Sequence, residues 1–568
     1  MQRSLRTVLP ILLLVLAATS VFGQHTMFLP KPTTTTYLDD IIIGDTLANG
    51  TRADAQRVYV LQRGGVWYWH NVVVNLGWSL NIQAADTGSG AMPRIYTRPV
   101  PTTTAVPYQM VDVAGPIYIK GLQIVGYYDR DTSALNTYGC TFIFFRRANP
   151  SPDRAEFYNN VFGNSGQAIL GTFGSFSVAK FVDNKIGNDG VPPTADLGNG
   201  RIVDFRNVSL DSAIFVNNTL VNGFDRAIRK RNSVGRTGVY IIDHNTIYQN
   251  GGRYGLISLG AVGSKVQITN NLLVDPMFFG ADTSSRRQSD FAEMNEFDAQ
   301  GKAKMAWIFH MANAAADTLG GGKPNTQWNI AKNYWYVTPQ MQAVYDSCRA
   351  MGWDPAIWAG RPVSDSIKSK IADTANAFIK LTSFAFTKIT APLTSVALYA
   401  TMPEALGGTA GGSSGGVWPG YDKRMTEYYR DTLDASYSTS SPAYAGGTGG
   451  FPAGDLNWFP ARKAAWAVLN GVDDQPVSGV AEVYTLSQNY PNPFNPSTKI
   501  AFSIPKASQV TLKVYNLIGQ EVASLVNENL NAGEHTASFN AGTLSSGVYF
   551  YTIRAGNFTS TRKMMLLK

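Results

Sequence analysis

The sequence predicts an all-β protein: a right-handed parallel β-helix with a partly helical insertion, followed by a small Ig-like β-sandwich. The first observation is a set of five similar strand-turn-strand units between residues 156 and 280. The second is a composition with 54 glycines, 12% aromatic residues and only 15% charged residues, which favours β structure over coiled coil or disorder. The third is a series of alternating strands with Gly and Asn turns after residue 484. At 568 residues the chain is too long for one core, so separate domains are expected.

The repeated units are each marked by one asparagine. Every unit has a short β-rich run, an Asn-containing pair and a second short apolar run, and successive asparagines lie 24 to 34 residues apart. The five positions are Asn160, Asn184, Asn218, Asn245 and Asn271. Self-similarity at this period, without a helix in each unit, favours a stacked solenoid of strands.

Burial explains why such units stack. One coil has an apolar row with nothing to cover it, and a neighbouring coil covers that row while pairing the backbone N–H and C=O groups. We expect this inward row to contain Phe157, Ile214, Ile241 and Ile268. Asn suits the bend between strands because it tolerates left-handed backbone angles. Stacked Asn side chains predict a hydrogen-bonded structural ladder, and a polar ligand-binding strip is the alternative.

The amino terminus predicts a cleaved signal peptide over residues 1–23. Arg3 and Arg6 supply the positive charge that precedes an apolar stretch, Val8–Ala18. The small residue Gly23 closes the segment. Elsewhere the sequence has no apolar stretch of about 18 residues, so we expect no transmembrane segment in the mature chain. The formal charge of +8 is modest for this length, and nucleic acid is not an expected partner.

The chain has two cysteines, Cys140 and Cys348. An exported protein can oxidise them, but the sequence leaves their pairing open. With no Cys-X-X-Cys motif and five histidines in all, a zinc site is not expected. Motifs for nucleotides, dinucleotides and metalloproteases are missing from the sequence, which therefore indicates no cofactor.

Residues 57–96 contain a strand, a Gly-Gly turn, an aromatic run and a second strand. This segment resembles the opening coil of the pectin- and pectate-lyase-like right-handed β-helix proteins. Further coils are expected in residues 110–128 and 139–148, and the resemblance covers roughly residues 55–340. It implies the fold, and it implies polysaccharide as the partner with a lyase or glycoside hydrolase as the enzyme class. The pattern is specific for the fold and unspecific for activity.

The β-helix domain is expected to extend over residues 24–470. It is interrupted by a loop insertion at about 281–327, by helical segments at about 339–379 and by a Gly-rich loop at 407–420. Helices in this place can cover the exposed strand edge at the end of a solenoid. A linker at 471–483 then leads to the last domain.

Residues 484–568 carry the most specific pattern in the chain. The pattern opens with a motif whose residues are Tyr490, Pro491, Asn492, Pro493, Phe494, Asn495 and Pro496. A VYNLIGQEV strand, a GVYFYTI strand and a basic tail follow. Together they resemble the C-terminal sorting domain of the type IX secretion system. The resemblance implies the type IX machinery as a partner and a location in the medium or at the outer cell surface.

The main basic cluster of the solenoid is residues 224–236. Polysaccharide lyases need an Arg or Lys base and cationic groups that neutralise a uronate carboxylate. If Ile228 points inward, strand alternation turns Arg229 and Arg231 outward. Arg229, Arg231 and His244, on the next coil, are therefore the candidate catalytic residues. The candidate substrate-binding residues are Arg226, Lys230 and Asp243. A solvated basic strand edge is the alternative.

Three function classes follow from these features. They are a polysaccharide-active enzyme, a non-catalytic carbohydrate-binding protein, and a structural or adhesive surface protein. Carbohydrate interaction is favoured and catalysis is left open, because a fold alone does not choose between them. A Ca²⁺ site is a further candidate, because Asp183 and Asp243 lie next to the Asn row and come nearest to a stacked row of carboxylates.

Overall fold

The computed structural model describes residues 25–49, 51–75, 78–86, 90–98, 109–126, 142–146, 154–187, 200–277, 304–310, 326–350, 361–389, 433–470 and 485–567, with short gaps inside several of these ranges, and positions 296 and 299. The chain divides into two compact units, Met1–Trp466 and Ala467–Lys568. The predicted signal peptide, Gly-rich loop and linker lie outside the described residues, as do Cys140 and the side chain of Cys348.

The first unit is a parallel β-helix whose successive coils add strands to three parallel sheets. The first sheet has ten strands, in spatial order Thr26–Leu29, Val58–Leu61, Leu80–Ala84, Ile117–Lys120, Arg154–Tyr158, Phe176–Val182, Leu210–Val216, Arg236–Asp243, Ala261–Thr269 and Gln327–Ala331. The second has eight, Val73–Asn75, Gln109–Val113, Phe142–Arg146, Ala168–Thr172, Arg201–Arg206, Ile228–Arg231, Ile257–Ser258 and Ile308–Phe309. The third has ten, Val66–Trp69, Arg94–Thr97, Gln123–Val125, Val161–Gly163, Lys185–Gly187, Thr219–Val221, Thr246–Tyr248, Leu272–Val274, Asn333–Tyr336 and Phe378–Lys380.

Short helices accompany these coils. The α-helices are Leu38–Gly44, Pro339–Ala350, Asp365–Lys368, Thr374–Ala377 and Pro460–Asn470, and 3₁₀ turns lie at Thr448–Gly450 and Leu456–Trp458. Helices therefore occur within the predicted helical region, residues 339–379. Among the described residues, no helix has both the length and the apolar character needed to cross a membrane.

A row of large apolar side chains runs along the inside of the first sheet. Phe157, Phe181 and Phe215 are at most 1% exposed. Their rings stack with centroids 4.5 and 5.5 Å apart. Ile242 and Ile268 continue the row in register. Each member precedes the Asn of its coil by three positions, so the Asn spacing fixes which side chains enter the core.

The predicted inward positions Ile214 and Ile241 are wrong by one residue. Both side chains are half-buried, while the following residues, Phe215 and Ile242, enter the core. Side chains alternate along a strand, so a slip of one position moves a side chain to the other face. Phe157 and Ile268 are in the core as predicted.

The asparagine ladder is confirmed. In consecutive coils the Nδ2 of one Asn donates to the Oδ1 of the next at 2.8–3.0 Å. The same oxygen accepts the backbone N–H of the preceding Asn at 2.9–3.2 Å. Each Nδ2 also donates to a carbonyl of the inward row, as Asn184 does to Phe157 at 2.9 Å. The ladder consists of Asn160, Asn184, Asn218, Asn245, Asn271 and Asn333, all at most 5% exposed.

The left-handed residue of each bend is the one before the ladder Asn. These residues have φ between 49° and 61°, and they are Asn159, Asp183, Asn217, His244, Asn270 and Lys332. The expectation that the ladder asparagines themselves take left-handed angles is therefore wrong. The preceding residue makes the bend, and this leaves the ladder Asn aimed into the stack.

The predicted loop insertion, residues 281–327, contains part of a coil. Its strand Ile308–Phe309 pairs with Ile257–Ser258 in the second sheet. Trp307 and both residues of this strand are 1% exposed. A short apolar run between polar stretches thus continues the solenoid, and most of the remaining insertion lies outside the described residues.

The second unit is a small β-sandwich of two antiparallel sheets. One sheet is formed by Thr485–Leu486, Ser497–Ile504 and Gly533–Asn540. The other is formed by Glu521–Leu530, Ser508–Tyr515, Gly547–Ala555 and Phe558–Leu566. Buried residues from both sheets, such as Phe502 and Leu512, share one core, as the predicted alternation requires.

Replacing Asn218 with alanine should lower the free energy of unfolding by about 2–5 kcal/mol, because buried polar groups that lose their partners cost roughly 1–3 kcal/mol each. The groups affected are the backbone N–H and Nδ2 of Asn184 and the carbonyl of Phe181. Urea unfolding of residues 24–568 measures this difference. The matched control is Asn329→Ala, at an exposed strand position. A loss at Asn218 no larger than the control's would contradict the ladder's stabilising role.

Candidate functional site

The predicted basic residues lie on neighbouring strands of the second sheet. Arg201–Arg206 pairs in parallel with Ile228–Arg231, which sets Asp204 beside Arg229. Ile228 belongs to the apolar core. Strand alternation therefore directs Arg229 to the opposite face, as the sequence predicts.

Arg229 joins a network of charged side chains on that face. Its Nε lies 3.7 Å from Oδ1 of Asp204. Arg206 donates to Oδ2 of the same carboxylate from Nε at 2.8 Å and lies 2.7 Å from it through a terminal nitrogen. Arg201 connects Asp204 to Asp225, since its Nη1 lies 3.6 Å from Asp204 and its Nε donates to Asp225 at 2.6 Å. The network thus alternates guanidinium and carboxylate groups across two coils.

The network is buried. Arg229 is 3% exposed and Arg226 is 0% exposed. Arg226 lies 3.8 Å from Asp225, with its guanidinium carbon 6.0 Å from the ring centroid of Phe309. The expected display of these arginines in an open groove is not what the structure shows. Their contacts suit a buried ionic network, in which each charge needs partners to offset its desolvation.

Burial and neighbouring charges set the proton affinities of this network. Burial, together with the charges of Arg201 and Arg226, lowers the pKa of Arg229 to about 8. Burial alone would raise the pKa of Asp204, but the guanidiniums of Arg201, Arg229 and Arg206 outweigh it and hold that pKa below its usual range. The carboxylates of Asp204 and Asp225 therefore stay ionised, and the surroundings of Arg229 strongly disfavour its positive charge.

Lys230 and Arg231 complete the predicted cluster. Lys230 pairs in register with the core residue Phe205 and is 0% exposed. Burial lowers the pKa of Lys230 to about 8. Of Arg231 only the backbone is described, where it pairs with Arg206. Lys230 therefore adds no exposed cation to the described part of the cluster.

His244 and Asp243 lie at the bend between the first and third sheets rather than on the second sheet. His244 Nδ1 lies 2.8 Å from Oδ2 of Asp243, and its ring contacts Trp466 edge-on at 5.3 Å. Asp243 also accepts from Thr269 at 2.6 Å and from Asn270 at 2.8 Å. The structure therefore does not bring His244 to Arg229, and the side chain of Arg231 lies outside the described residues.

Residues 433–470 contribute a buried polar site at the third sheet that the sequence did not indicate. Asp455 is 0% exposed and accepts a hydrogen bond from Thr219 at 2.7 Å. Its backbone N–H donates to Thr246 at 2.8 Å. Asn457 Nδ2 bridges Asp455 and Asp183 at 2.7 and 3.2 Å. Burial, with Asp183 nearby, raises the pKa of Asp455 to about 7. The partners lie more than 200 positions apart, so no local pattern could reveal them.

A pair of tyrosines lies on the outer face of the first sheet. Tyr118 and Tyr158 are half-buried residues of adjacent strands, and their ring centroids are 5.4 Å apart. Tyr158 donates to Glu156 at 2.5 Å, and Lys180 Nζ lies 5.1 Å from the centroid of the Tyr158 ring. The sequence carries a signal for this site, because both tyrosines directly follow residues of the apolar core.

Among the described residues, Asp39, Asp40 and His70 form one group with metal-ligand chemistry, and one ligand atom of each lies within 4.8 Å of the others. His70 Nδ1 lies 3.4 Å from Asp39 and Nε2 lies 3.6 Å from Asp40. The two ring nitrogens thus face different carboxylates, while an imidazole ligates one ion through one nitrogen. The arrangement suits a histidine held between two carboxylates. A Ca²⁺ site at Asp183 and Asp243 stays a prediction.

In the second unit, the predicted motif ties the start of the sandwich to its last strand. Phe494 is 2% exposed in the core. Its N–H donates to the carbonyl of Met565 at 2.9 Å, and its carbonyl accepts from the N–H of Leu567 at 3.0 Å. Asn492 Oδ1 accepts from the N–H of Met565 at 2.8 Å. The motif residues outside the described part of the chain are Tyr490, Pro491 and Pro493.

Asp455→Asn should remove a pH dependence of stability. A raised carboxyl pKa means that the folded chain holds the proton more tightly than the unfolded chain. The stability contributed by the protonated form is therefore present below about pH 4 and is lost as the pH rises towards about 7, at up to roughly 1.4 kcal/mol per pH unit. Urea unfolding of the wild type and of Asp455→Asn at pH 5 and pH 8 measures how the free energy of unfolding changes with pH.

The matched control for this experiment is Asp434→Asn, in the same segment. Asp434 lies 2.9 Å from Lys388, and despite burial its hydrogen bonds hold its pKa below the usual value. Asp434 therefore stabilises the fold in its ionised form, so Asp434→Asn should not raise the free energy of unfolding at pH 8. Equal slopes for the wild type and Asp455→Asn would contradict the role given to Asp455.

Comparison with known proteins bears on the second unit. Residues 488–567 match the family described as the secretion system C-terminal sorting domain. No curated protein matches the chain. The matched segment coincides with the sandwich and includes the whole predicted motif. The chain therefore carries a type IX secretion C-terminal sorting domain at residues 488–567, which follows a parallel β-helix in the sequence. It is a secreted or outer-surface protein.

Proposed function

We propose that the β-helix of this exported protein binds polysaccharide outside the cell, without cleaving it, on the outer face of its first sheet. The observation that carries the proposal is the pair Tyr118 and Tyr158, with ring centroids 5.4 Å apart. Aromatic rings beside a few fixed polar groups are typical of sites that hold ring-shaped ligands.

The strand register supports an outward position of both rings. Ile117 and Ile119 flank Tyr118 and lie in the core, as does Phe157 beside Tyr158. Alternation directs the two tyrosines away from that core. Because their strands belong to a long parallel sheet, the rings lie on a rigid surface.

Polar contacts hold the second ring in place. Tyr158 donates to Glu156, which also accepts from Arg154 Nε at 2.5 Å. Burial, followed by the charge of Glu156, raises the pKa of Tyr158 above its usual range, so its hydroxyl stays protonated. Lys180 lies over the ring. A side chain ordered before binding loses less conformational entropy on binding, which favours affinity.

The disposition of the candidate catalytic groups supports binding over catalysis. Acid–base chemistry requires its groups within hydrogen-bond reach of one reacting atom. Among the described residues, Arg229 lies in a buried network on the second sheet and His244 lies at the bend between the other two sheets. Arg229 and His244 therefore lie in different parts of the coil and are not placed to act on one reacting atom.

A polysaccharide lyase is the second candidate. The lowered pKa of Arg229 favours it, because an arginine base must lose its proton. The alternative without carbohydrate, a structural or adhesive surface protein, is supported by the continuous asparagine ladder, which makes the solenoid a rigid spacer.

Tyr118→Ala/Tyr158→Ala should weaken polysaccharide binding by about tenfold to a hundredfold, since each aromatic contact contributes roughly 1 kcal/mol or more. Isothermal titration of the mature chain against a panel of neutral and uronate-containing polysaccharides measures the affinity. The matched control is Tyr68→Ala, a half-buried tyrosine on the third sheet, which should bind as the wild type does. Equal binding by the double variant would contradict the site, and no binding to any panel member would favour the structural alternative.

Uronate polysaccharides incubated with the mature chain, with and without Ca²⁺, should show no rise in ultraviolet absorbance. Such a rise reports the unsaturated product of β-elimination, and a binding protein does not form it. Any rise would overturn the non-catalytic proposal and assign a lyase, and its loss in Arg229→Ala/Arg231→Ala with unchanged urea unfolding would place the site. In that case Tyr118→Ala/Tyr158→Ala would separate substrate binding from chemistry by its effect on KM alone.

A further inference from the structure

Four polar side chains meet where residues 455–463 contact the bend of one coil. Lys463 Nζ lies 2.9 Å from the amide oxygen of Asn457 and 2.7 Å from Oδ2 of Asp183. Nδ2 of the same amide donates to Asp455 at 2.7 Å and to Asp183 at 3.2 Å. The amide of Asn457 therefore lies between one amine and two carboxyl groups.

The two carboxyl groups differ in their hold on a proton. Asp455 is 0% exposed, and burial, with Asp183 nearby, raises the pKa of Asp455 to about 7. Asp183 forms an ion pair with Lys463 and therefore faces the amine as a carboxylate. One group can donate a proton and the other can accept one, which is the division of roles that acid–base chemistry requires.

We propose that Lys463 and Asn457 form an intramolecular isopeptide bond, a covalent modification of the folded chain. Lys463 gives one proton to Asp183, and its Nζ then bonds to the side-chain amide carbon of Asn457. Asp455 protonates Nδ2, whose bond to that carbon breaks, and regains a proton from the new amide nitrogen. Ammonia leaves with the proton held by Asp183, so atoms and charges balance and no other reactant is consumed.

The fold holds the reacting groups in place before any reaction. Asp455 accepts from Thr219 at 2.7 Å, and its backbone N–H donates to Thr246 at 2.8 Å. The backbone N–H of Asn457 donates to the Asp455 carboxyl at 2.8 Å. Groups fixed side by side react as if at very high concentration. The bond would close a ring through residues 457–463, and it is independent of the proposed polysaccharide site.

The test is peptide mapping of purified residues 24–568 by tandem mass spectrometry. Trypsin cleaves after Arg462, which leaves Asn457 and Lys463 on separate peptides unless a side-chain bond joins them. We expect the two peptides to stay joined, with a mass lower than their sum by one ammonia molecule. Unjoined peptides from the folded wild type would overturn the proposal. Loss of water, with Lys463 joined to Asp183, would also overturn it.

The internal control is the ion pair of Lys388 and Asp434, at 2.9 Å in the same domain. The Lys388 side chain is 65% exposed, and hydrogen bonds hold the pKa of Asp434 below its usual value despite burial. This pair thus has an amine and a carboxylate without a proton-holding partner at neutral pH. Its peptides should be recovered unjoined.

Two variants separate the roles of the nucleophile and the acid. Lys463→Arg keeps the positive charge and lacks the amine, so its two peptides should separate. Asp455→Asn keeps both reacting residues and lacks the acid, so its peptides should also separate. Far-ultraviolet circular dichroism checks that each variant is folded. A joined pair in folded Lys463→Arg would overturn the bond, and a joined pair in folded Asp455→Asn would overturn the part given to the acid.

Discussion

The hydrogen-bonded asparagine ladder is the interaction on which the first unit depends. From Asn160 to Asn271, each ladder amide donates to the next Asn and to a carbonyl of the neighbouring coil, and its oxygen accepts a backbone N–H. The six coils from Asn160 to Asn333 offer the same groups at the same place, so the ladder sets the register of these coils. The chain between ladder positions varies from 24 to 62 residues without shifting that register. A long insertion between two coils is therefore compatible with the stack as long as their ladder asparagines still form the hydrogen bond.

The repeat of coils could be predicted because Asn recurs, but the inward face could not be assigned everywhere. Ile214 and Phe215 are both apolar, so alternation alone does not say which of them is buried, and only the ladder register decides. The bend has the same ambiguity, because polar residues stand at both positions in pairs such as Asn217–Asn218. The geometry assigns the left-handed angle to the first. Sequence pattern thus gives the coil, and hydrogen bonding between coils gives its orientation.

The candidate sites also differ in whether local sequence pattern or contacts between distant residues determine them. The tyrosine pair follows from local alternation beside core residues, so it could have been found from the sequence once the inward face was known. The burial of Arg229 and the contacts of Asp455 depend on residues in other coils and on a segment more than 200 positions away. Residue type indicated charge and basicity correctly for the Arg229 cluster. It did not indicate that the carboxylates of Asp204 and Asp225 would pair with these arginines.

Both units place a few side chains against the usual rule of burial, and the surrounding structure supports each exception. The β-helix buries Arg229 and Asp455, although charged groups are costly to remove from water. The sorting domain exposes Leu517 and Ile518, although apolar side chains favour the core. The first exception is supported by ion pairs and hydrogen bonds within a fixed stack, and the second by a turn closed through Asn516. The ion pair of Arg229 and the hydrogen bonds of Asp455 each require one alignment of the coils.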